Sequence, residues 1–324
     1  MKIDAKDRKI LFELEQGCRR PLGEIAKAVG VSKQALHYRI ERLERQSVIG
    51  GFVAAVNFAK LGLINHEAWI CLAPISEEKK KEFIENICKN ENVRVVGDCA
   101  GKFDLLVGIL AENVVQFKRI FGRLLEENPG CVKSYSYSIA HEFYTYPRMH
   151  FAGGEGRKKP VVSSGEPKCA ELDKADRKIL SIVGKDARTS VLDIAKKAGI
   201  SPNTARAKLK GLEKDGVIAG YKIWFEHSKI GLENYEILAN ASGIAGKGEK
   251  ELEEFLAHHP YSTFLLKCVG KWDWDVGFDA RDARHFQKIL AEFRGRFGEH
   301  VSDYEVVNIL KWEKFTYYPF GDAK

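Results

Sequence analysis

The chain says most of what it has to say twice. IDAKDRKIL at 3–11 returns as LDKADRKIL at 172–180, a spacing of 169 positions. The same spacing aligns, without a gap, EIAKAVGVS (24–32) with DIAKKAGIS (193–201) and LERQSVIGGF (43–52) with LEKDGVIAGY (212–221). KLGL (60–63) then meets KIGL (229–232), and further on CAGKFD (99–104) meets CVGKWD (268–273). This is one long unit duplicated in tandem, not an array of short repeats. At 324 residues the chain also exceeds a single comfortable core.

The first part of each unit reads as three short helices. Asp4 and Asp173 stand as N-caps before apolar positions Ile10, Leu11 and Leu14, or Ile179, Leu180 and Val183. A second, short helix is ended by Gly30 or Gly199, suited to the left-handed conformation. Ser32 or Ser201 then caps a third helix that buries Leu36, Ile40 and Leu43, or Ala205, Leu209 and Leu212, at helical spacing. Its polar side chains are Ser32, Lys33, Gln34, His37, Tyr38, Arg39 and Arg42 in the first copy. In the second they are Ser201, Asn203, Thr204, Arg206, Lys208 and Lys210. Such groups hydrogen-bond base edges or neutralise phosphates. Helix, glycine-bearing turn and capped helix is the helix-turn-helix layout, whose last helix enters a major groove. The second copy closes its third helix at Gly216, where the first has Ser47 and an end that is costlier or differently closed.

Dividing the net charge of +7 supports this reading. Residues 1–63 carry 12 basic and 7 acidic side chains, and residues 171–232 carry 13 and 8, so each is +5. The remaining parts are −1 (64–151), +2 (152–170) and −4 (233–324). Positive charge gathered in the two helical regions attracts a polyanion. Seven widely spaced cysteines with no CxxC pair suggest a reduced, cytoplasmic protein rather than a disulfide or zinc framework. No apolar run approaches a membrane span and no signal core opens the chain.

The second part of each unit alternates strand and helix in the order β-α-β-β-α-β. The expected fold class is therefore α+β, with two helix-turn-helix domains and two ferredoxin-like domains in tandem. The boundaries are 1–63 and 64–151 for the first unit, 171–232 and 233–324 for the second. Residues 152–170 form a Gly-, Ser- and Pro-rich linker in which Arg157, Lys158 and Lys159 are candidate phosphate contacts. The sheet face that the helices leave open needs a partner, and the sibling domain is the obvious one.

The pattern LD..DRKIL, (D/E)IAK..G(V/I)S and LE...VI.G(F/Y) closely resembles the Lrp/AsnC (feast/famine) transcriptional regulators, and the GKFD and GKWD segments resemble those of their sensing domain. The resemblance implies a regulator that binds double-stranded DNA through both third helices, self-associates through its sheet domains and responds to a small effector such as an amino acid. It places Gly101, Asp104, Gly270 and Asp273 near the effector, although a plain β-hairpin turn explains the same residues. The tandem fusion departs from the family's usual single unit and suggests a covalent pseudo-dimer reading two unlike half-sites. The aromatic endings HEFYTYP and KWEKFTYYP are read as sheet-domain core rather than as a cofactor site. No phosphate loop, HExxH or GxSxG motif is found, so no catalysis, cofactor or metal is expected. Two alternatives stay open. One is a sirohaem decarboxylase of the same architecture, using His66, His141, His150, Arg94 and Arg148; the other is an architectural DNA-compacting protein.

Overall fold

The computed structural model describes residues 3–154, 159–163, 165, 169–242, 247–318 and 320. The first head consists of α1 (Ala5–Gly17), α2 (Leu22–Val29) and α3 (Lys33–Arg45), followed by strand β1 (Ile49–Val56). Asp4 caps α1 and Asp7 reciprocates, a complete capping box that satisfies two orphan amides. Gly30 ends α2 at φ 74° and Ser32 caps α3 through the Ala35 amide. Ser47 does adopt the left-handed region, at φ 54°.

The first sheet domain follows as β2 (Ile64–Leu72), α4 (Glu77–Lys89), β3 (Val93–Gly101), β4 (Leu105–Ala111), α5 (Val114–Glu126) and β5 (Val132–Thr145). Within the linker, Val161–Val162 forms a two-residue strand, β6, against Tyr144 and Thr145. Arg157 and Lys158 lie outside the described residues, and Lys159 is exposed. The second head is α6 (Lys174–Lys185), α7 (Val191–Ala198), α8 (Pro202–Lys214) and β7 (Ile218–Phe225). Its sheet domain is β8 (Glu233–Ala241), α9 (Lys247–His258), β9 (Ser262–Gly270), β10 (Trp274–Ala280), α10 (Ala283–Phe297) and β11 (Val301–Phe315).

Each four-stranded sheet has the ferredoxin-like order, β5-β2-β4-β3 in one and β11-β8-β10-β9 in the other. Their open faces turn toward each other, so that Trp69 and Leu106 share a core with Leu238, Trp272 and Val307. The edges also join: β3 pairs β11 and β5 pairs β9, both antiparallel. Eight strands thereby close into a barrel, and both seams hold a repeated cysteine, Cys99 opposite Ile309 and Cys268 opposite Ala140. Helices α4 and α5 cover one outer face through Phe83, Ile87, Phe117 and Phe121. Helices α9 and α10 cover the other through Leu252, Leu256, Phe286 and Phe293.

The heads are interlocked as well. β1 and β7 form an antiparallel ribbon with Ala54 opposite Tyr221. The Cys18 amide donates to Tyr221 O and, at the equivalent place in the other copy, the Ala187 amide donates to Phe52 O. Ile223 and Phe225 complete the core of the first head, while Ala54 and Val56 complete that of the second.

Candidate functional site

Two regions carry functional chemistry, one on the surface and one enclosed. On the surface, α3 and α8 bury their apolar stripe and present Lys33, Gln34, His37 and Tyr38, or Asn203, Thr204, Arg206 and Lys210, to solvent. Ser32 and Ser201 each spend their hydroxyl on the first turn, accepting from Ala35 N and Thr204 N at 3.1 Å. His37 lies 3.2 Å from Glu41, one turn along.

Three of the cations expected at this interface are engaged within their own head. Arg39 pairs with Asp4 at 2.7 Å and Asp7 at 2.8 Å, and Arg42 reaches Asp7. Lys208, the equivalent of Arg39, pairs with Asp173 and Asp176 at 2.7 and 3.0 Å. The N-capping carboxylates of the first helix thus hold the third helix in place. The hydrogen bond from Arg39, with that of the Asp7 amide, holds the Asp4 carboxyl down at about 2.

The glycines and aspartates of the two hairpins lie at the barrel seams. Gly101 and Gly270 have φ of 128° and 134°. A Cβ at Gly270 would meet Tyr137 O at 2.6 Å, and one at Gly101 would meet Val306 O at 3.1 Å. Each glycine is therefore needed where one copy's hairpin passes the other copy's strand. Asp104 and Asp273 accept the amides of Leu72 and Ala241 at 2.7 and 2.8 Å.

The enclosed region is a cavity of about 80 Å³ at the end of the barrel beneath the β1–β7 ribbon. Its inner part holds Glu67, Arg94, Glu236 and Asp275, all buried. Arg94 has its Nη2 4.0 Å from Glu67 and stands over the rings of Phe143 and Phe58, at 5.3 and 5.4 Å. Burial, with Glu67 as neighbour, pushes the Glu236 carboxyl well above the usual range, and burial beside Glu236 does the same to Asp275. Both oxygens of each of these two carboxyls lack a hydrogen-bond partner.

Nearer the heads, Arg148 donates to Asp279 at 2.6 Å, bonds Glu15, and lies 3.1 Å from His227 Nε2. Burial disfavours the Arg148 charge, but Asp279 and Glu15 outweigh it and hold the guanidinium charged. Burial lowers His150 to about 4 despite Asp279 at 4.0 Å. Lys222 is buried here with no hydrogen-bond partner for its ammonium, which burial brings down to about 8. Of the residues named for the tetrapyrrole alternative, Arg94 and Arg148 line this cavity and His150 adjoins it through Asp279. His66 lies on the opposite sheet face, stacked on Phe117, and His141 is exposed.

Sequence reasoning passed over Glu15, Lys222, His227, Glu236, Asp275 and Asp279. A signal was present. Asn65 and Glu67 recur as Asn234 and Glu236, polar residues at alternate positions of both strands. Among the described residues, no cluster of three His, Cys, Asp or Glu is arranged to hold a metal ion, and no helix is long and apolar enough to cross a membrane.

Paired helix-turn-helix heads on a double ferredoxin-like body define a tandem two-unit protein of helix-turn-helix class. A model of the AsnC-type helix-turn-helix domain matches residues 3–44, and one described as winged helix-turn-helix DNA-binding matches 172–219. The Pyrococcus horikoshii HTH-type transcriptional regulator LrpA is 40% identical over 127 residues, 39% of this chain and 87% of its own length. The Rhodobacter capsulatus proline dehydrogenase transcriptional activator is 30% identical over 138 residues, 42% of this chain and 88% of its own. The chain belongs to the Lrp/AsnC family of transcriptional regulators, in tandemly duplicated form.

One comparison corrects an expectation. The solved structure of the siroheme decarboxylase NirDL matches 96% of this chain and 93% of its own, with a TM-score of 0.63 at 13% identity. A second structure of NirDL holds an iron-uroporphyrin III analogue. The expectation that this chain is not an enzyme does not stand. An enzyme shares the whole tandem architecture, and catalysis in such a fold needs no phosphate loop or nucleophile elbow.

Proposed function

We propose that the chain is a sequence-specific regulator working as a covalent pseudo-dimer, one chain supplying both DNA-reading heads. The observation that carries this is the pair of exposed, serine-capped third helices on heads of charge +5 each, held together by the β1–β7 ribbon. The two exposed faces differ, His37 and Tyr38 against Arg206 and Ala207, so the operator has two unlike half-sites one or more helical turns apart. A small metabolite, sensed in the sheet domains, tunes the affinity, and the protein works in the cytoplasm. The hairpin residues Gly101, Asp104, Gly270 and Asp273 couple such sensing to the barrel seams.

Selection of bound duplexes from a random pool tests the reading, followed by titration of the Arg206→Ala variant. A non-palindromic site is expected, and the variant should lose roughly 1–3 kcal/mol on that site and less on random duplex. A strict palindrome would count against two unlike heads. Equal loss on both duplexes would make Arg206 a phosphate contact, and no preference for any sequence would favour DNA compaction.

One observation favours a second reading, a tetrapyrrole decarboxylase: the near-complete structural match to NirDL, together with Arg94 and Arg148 in the cavity and His150 beside it. Against it, both third helices keep exposed polar faces on heads of charge +5 each, which an enzyme has no need to retain. An absorbance spectrum with added sirohaem separates the two.

A further inference from the structure

Eight-stranded barrels are just wide enough inside to be filled by side chains or to hold one small ligand. This barrel keeps a cavity, and in its inner part buried carboxyls outnumber cations. Near the heads, Glu15 and Asp279 are matched by Arg148 and Lys222. Deeper in, Glu67, Glu236 and Asp275 face a single cation, Arg94. Glu236 is 0% and Asp275 2% exposed, and all four of their carboxyl oxygens are without hydrogen-bond partners. Burying such groups unpaired is costly, and a native fold that does so has a reason.

The geometry selects the kind of cation. No three acidic or other metal-binding side chains among the described residues converge as a metal site requires. The carboxyls come from three strands, Glu67 from β2, Glu236 from β8 and Asp275 from β10, as suits a cation with charge at more than one point. Ionised together, these three carboxyls would exceed the one guanidinium by two charges, the number a dication brings. The walls include Phe143, Phe264 and Phe315. Arg94 already shows that these rings accept a cation, lying 5.3 Å from Phe143 and 5.9 Å from Phe315. A cavity of about 80 Å³ suits a small ligand rather than a large one.

We propose that the barrel interior is a binding site for a short aliphatic diamine, its two ammonium groups set against the carboxylates of Glu236, Asp275 and Glu67 and its carbon chain against the aromatic wall. The site gives the regulator proposed above an effector of defined chemistry. It rests on that reading only for its use, because binding is measured on the protein without DNA.

The experiment is calorimetric titration of the full chain at pH 7.5 with 1,4-diaminobutane, 1,5-diaminopentane, butylamine and 1,4-butanediol. The diamines should bind at least tenfold more tightly than butylamine, and the diol should not bind. The Glu236→Gln/Asp275→Asn variant should lose tenfold or more of the diamine affinity. Should that variant not fold, Glu236→Gln alone carries the comparison. Repeating the wild-type titration in two buffers of different ionisation enthalpy should reveal proton release, as carboxyls held protonated in the empty site ionise. No diamine binding, binding equal to that of butylamine, or undiminished binding by the variants would each overturn the proposal. An unbound diamine alongside intact DNA binding would remove this site and leave the regulator standing.

Discussion

Glu236 stands in the second copy where Glu67 stands in the first, but the surroundings have diverged. Leu106 has become Asp275, and Arg94 has no counterpart because Thr263 takes its place. The second copy thus contributes two carboxyls and no guanidinium to the inner part of the cavity, its cation there, Lys222, standing nearer the heads. The folded state holds the Glu236 proton more tightly than the unfolded chain, which ionises near 4. A raised folded value gives stability that is full below the unfolded value and is lost as pH climbs toward the folded one. Glu236→Gln removes that loss. Its melting temperature should match the wild type near pH 4.5 and exceed it by a few degrees at pH 8, read by scanning calorimetry in matched buffers. His66 and His150, each lowered to about 4 by burial, act in the opposite sense. Their contribution is lost as pH falls below about 6.5. Both proteins carry these histidines, so their effect cancels in the comparison. A variant no more stable than wild type at pH 8 would show that the Glu236 carboxyl is charged and compensated in the folded state.

Among the elements, the third helices end differently for a reason that a single substitution tests. The second copy places Gly216 at φ 69° after α8, whereas the first places Ser47 at φ 54° after α3. A side chain in the left-handed region costs roughly 1 kcal/mol, so Ser47→Gly should raise stability to urea by about 0.5–1 kcal/mol. Its m-value should not change. The caps, the helix-ending glycines and the burial stripes of α1, α3, α6 and α8 were all legible in the sequence, because each is set by residues within a turn of one another. The pairings β1–β7, β3–β11 and β5–β9 were not, since nothing local in either partner specifies a strand so distant. The same limit hid the enclosed site. Asn65, Glu67, Asn234 and Glu236 recur at every second position as a solvent-facing set would, and only barrel closure turns that set inward. On the DNA-facing surface the exposed set was legible. The diversion of Arg39, Arg42 and Lys208 to the capping aspartates was not, because it depends on how two helices cross.

At the scale of the whole molecule, the duplication explains both the barrel and why its halves are no longer interchangeable. Two copies of the first half would bring together two Glu67 and two Arg94, a balanced interior. Two copies of the second half would enclose two Glu236 and two Asp275 with no guanidinium, since Thr263 replaces Arg94. Pairing of unlike halves is thereby favoured by penalising a like pair, the more so as pH rises. Each head also depends on the other unit, because β7 completes the core of the first and β1 that of the second. Residues 1–163 and 169–324 produced as separate chains should therefore co-purify one to one and unfold in a single transition. Produced alone at pH 8, the second half should fail to form a stable dimer, whereas Glu236→Gln/Asp275→Asn within it should restore one. Light scattering after size exclusion reads the stoichiometry. A stable homodimer of the unmodified second half would show that the buried carboxyls play no part in choosing the partner.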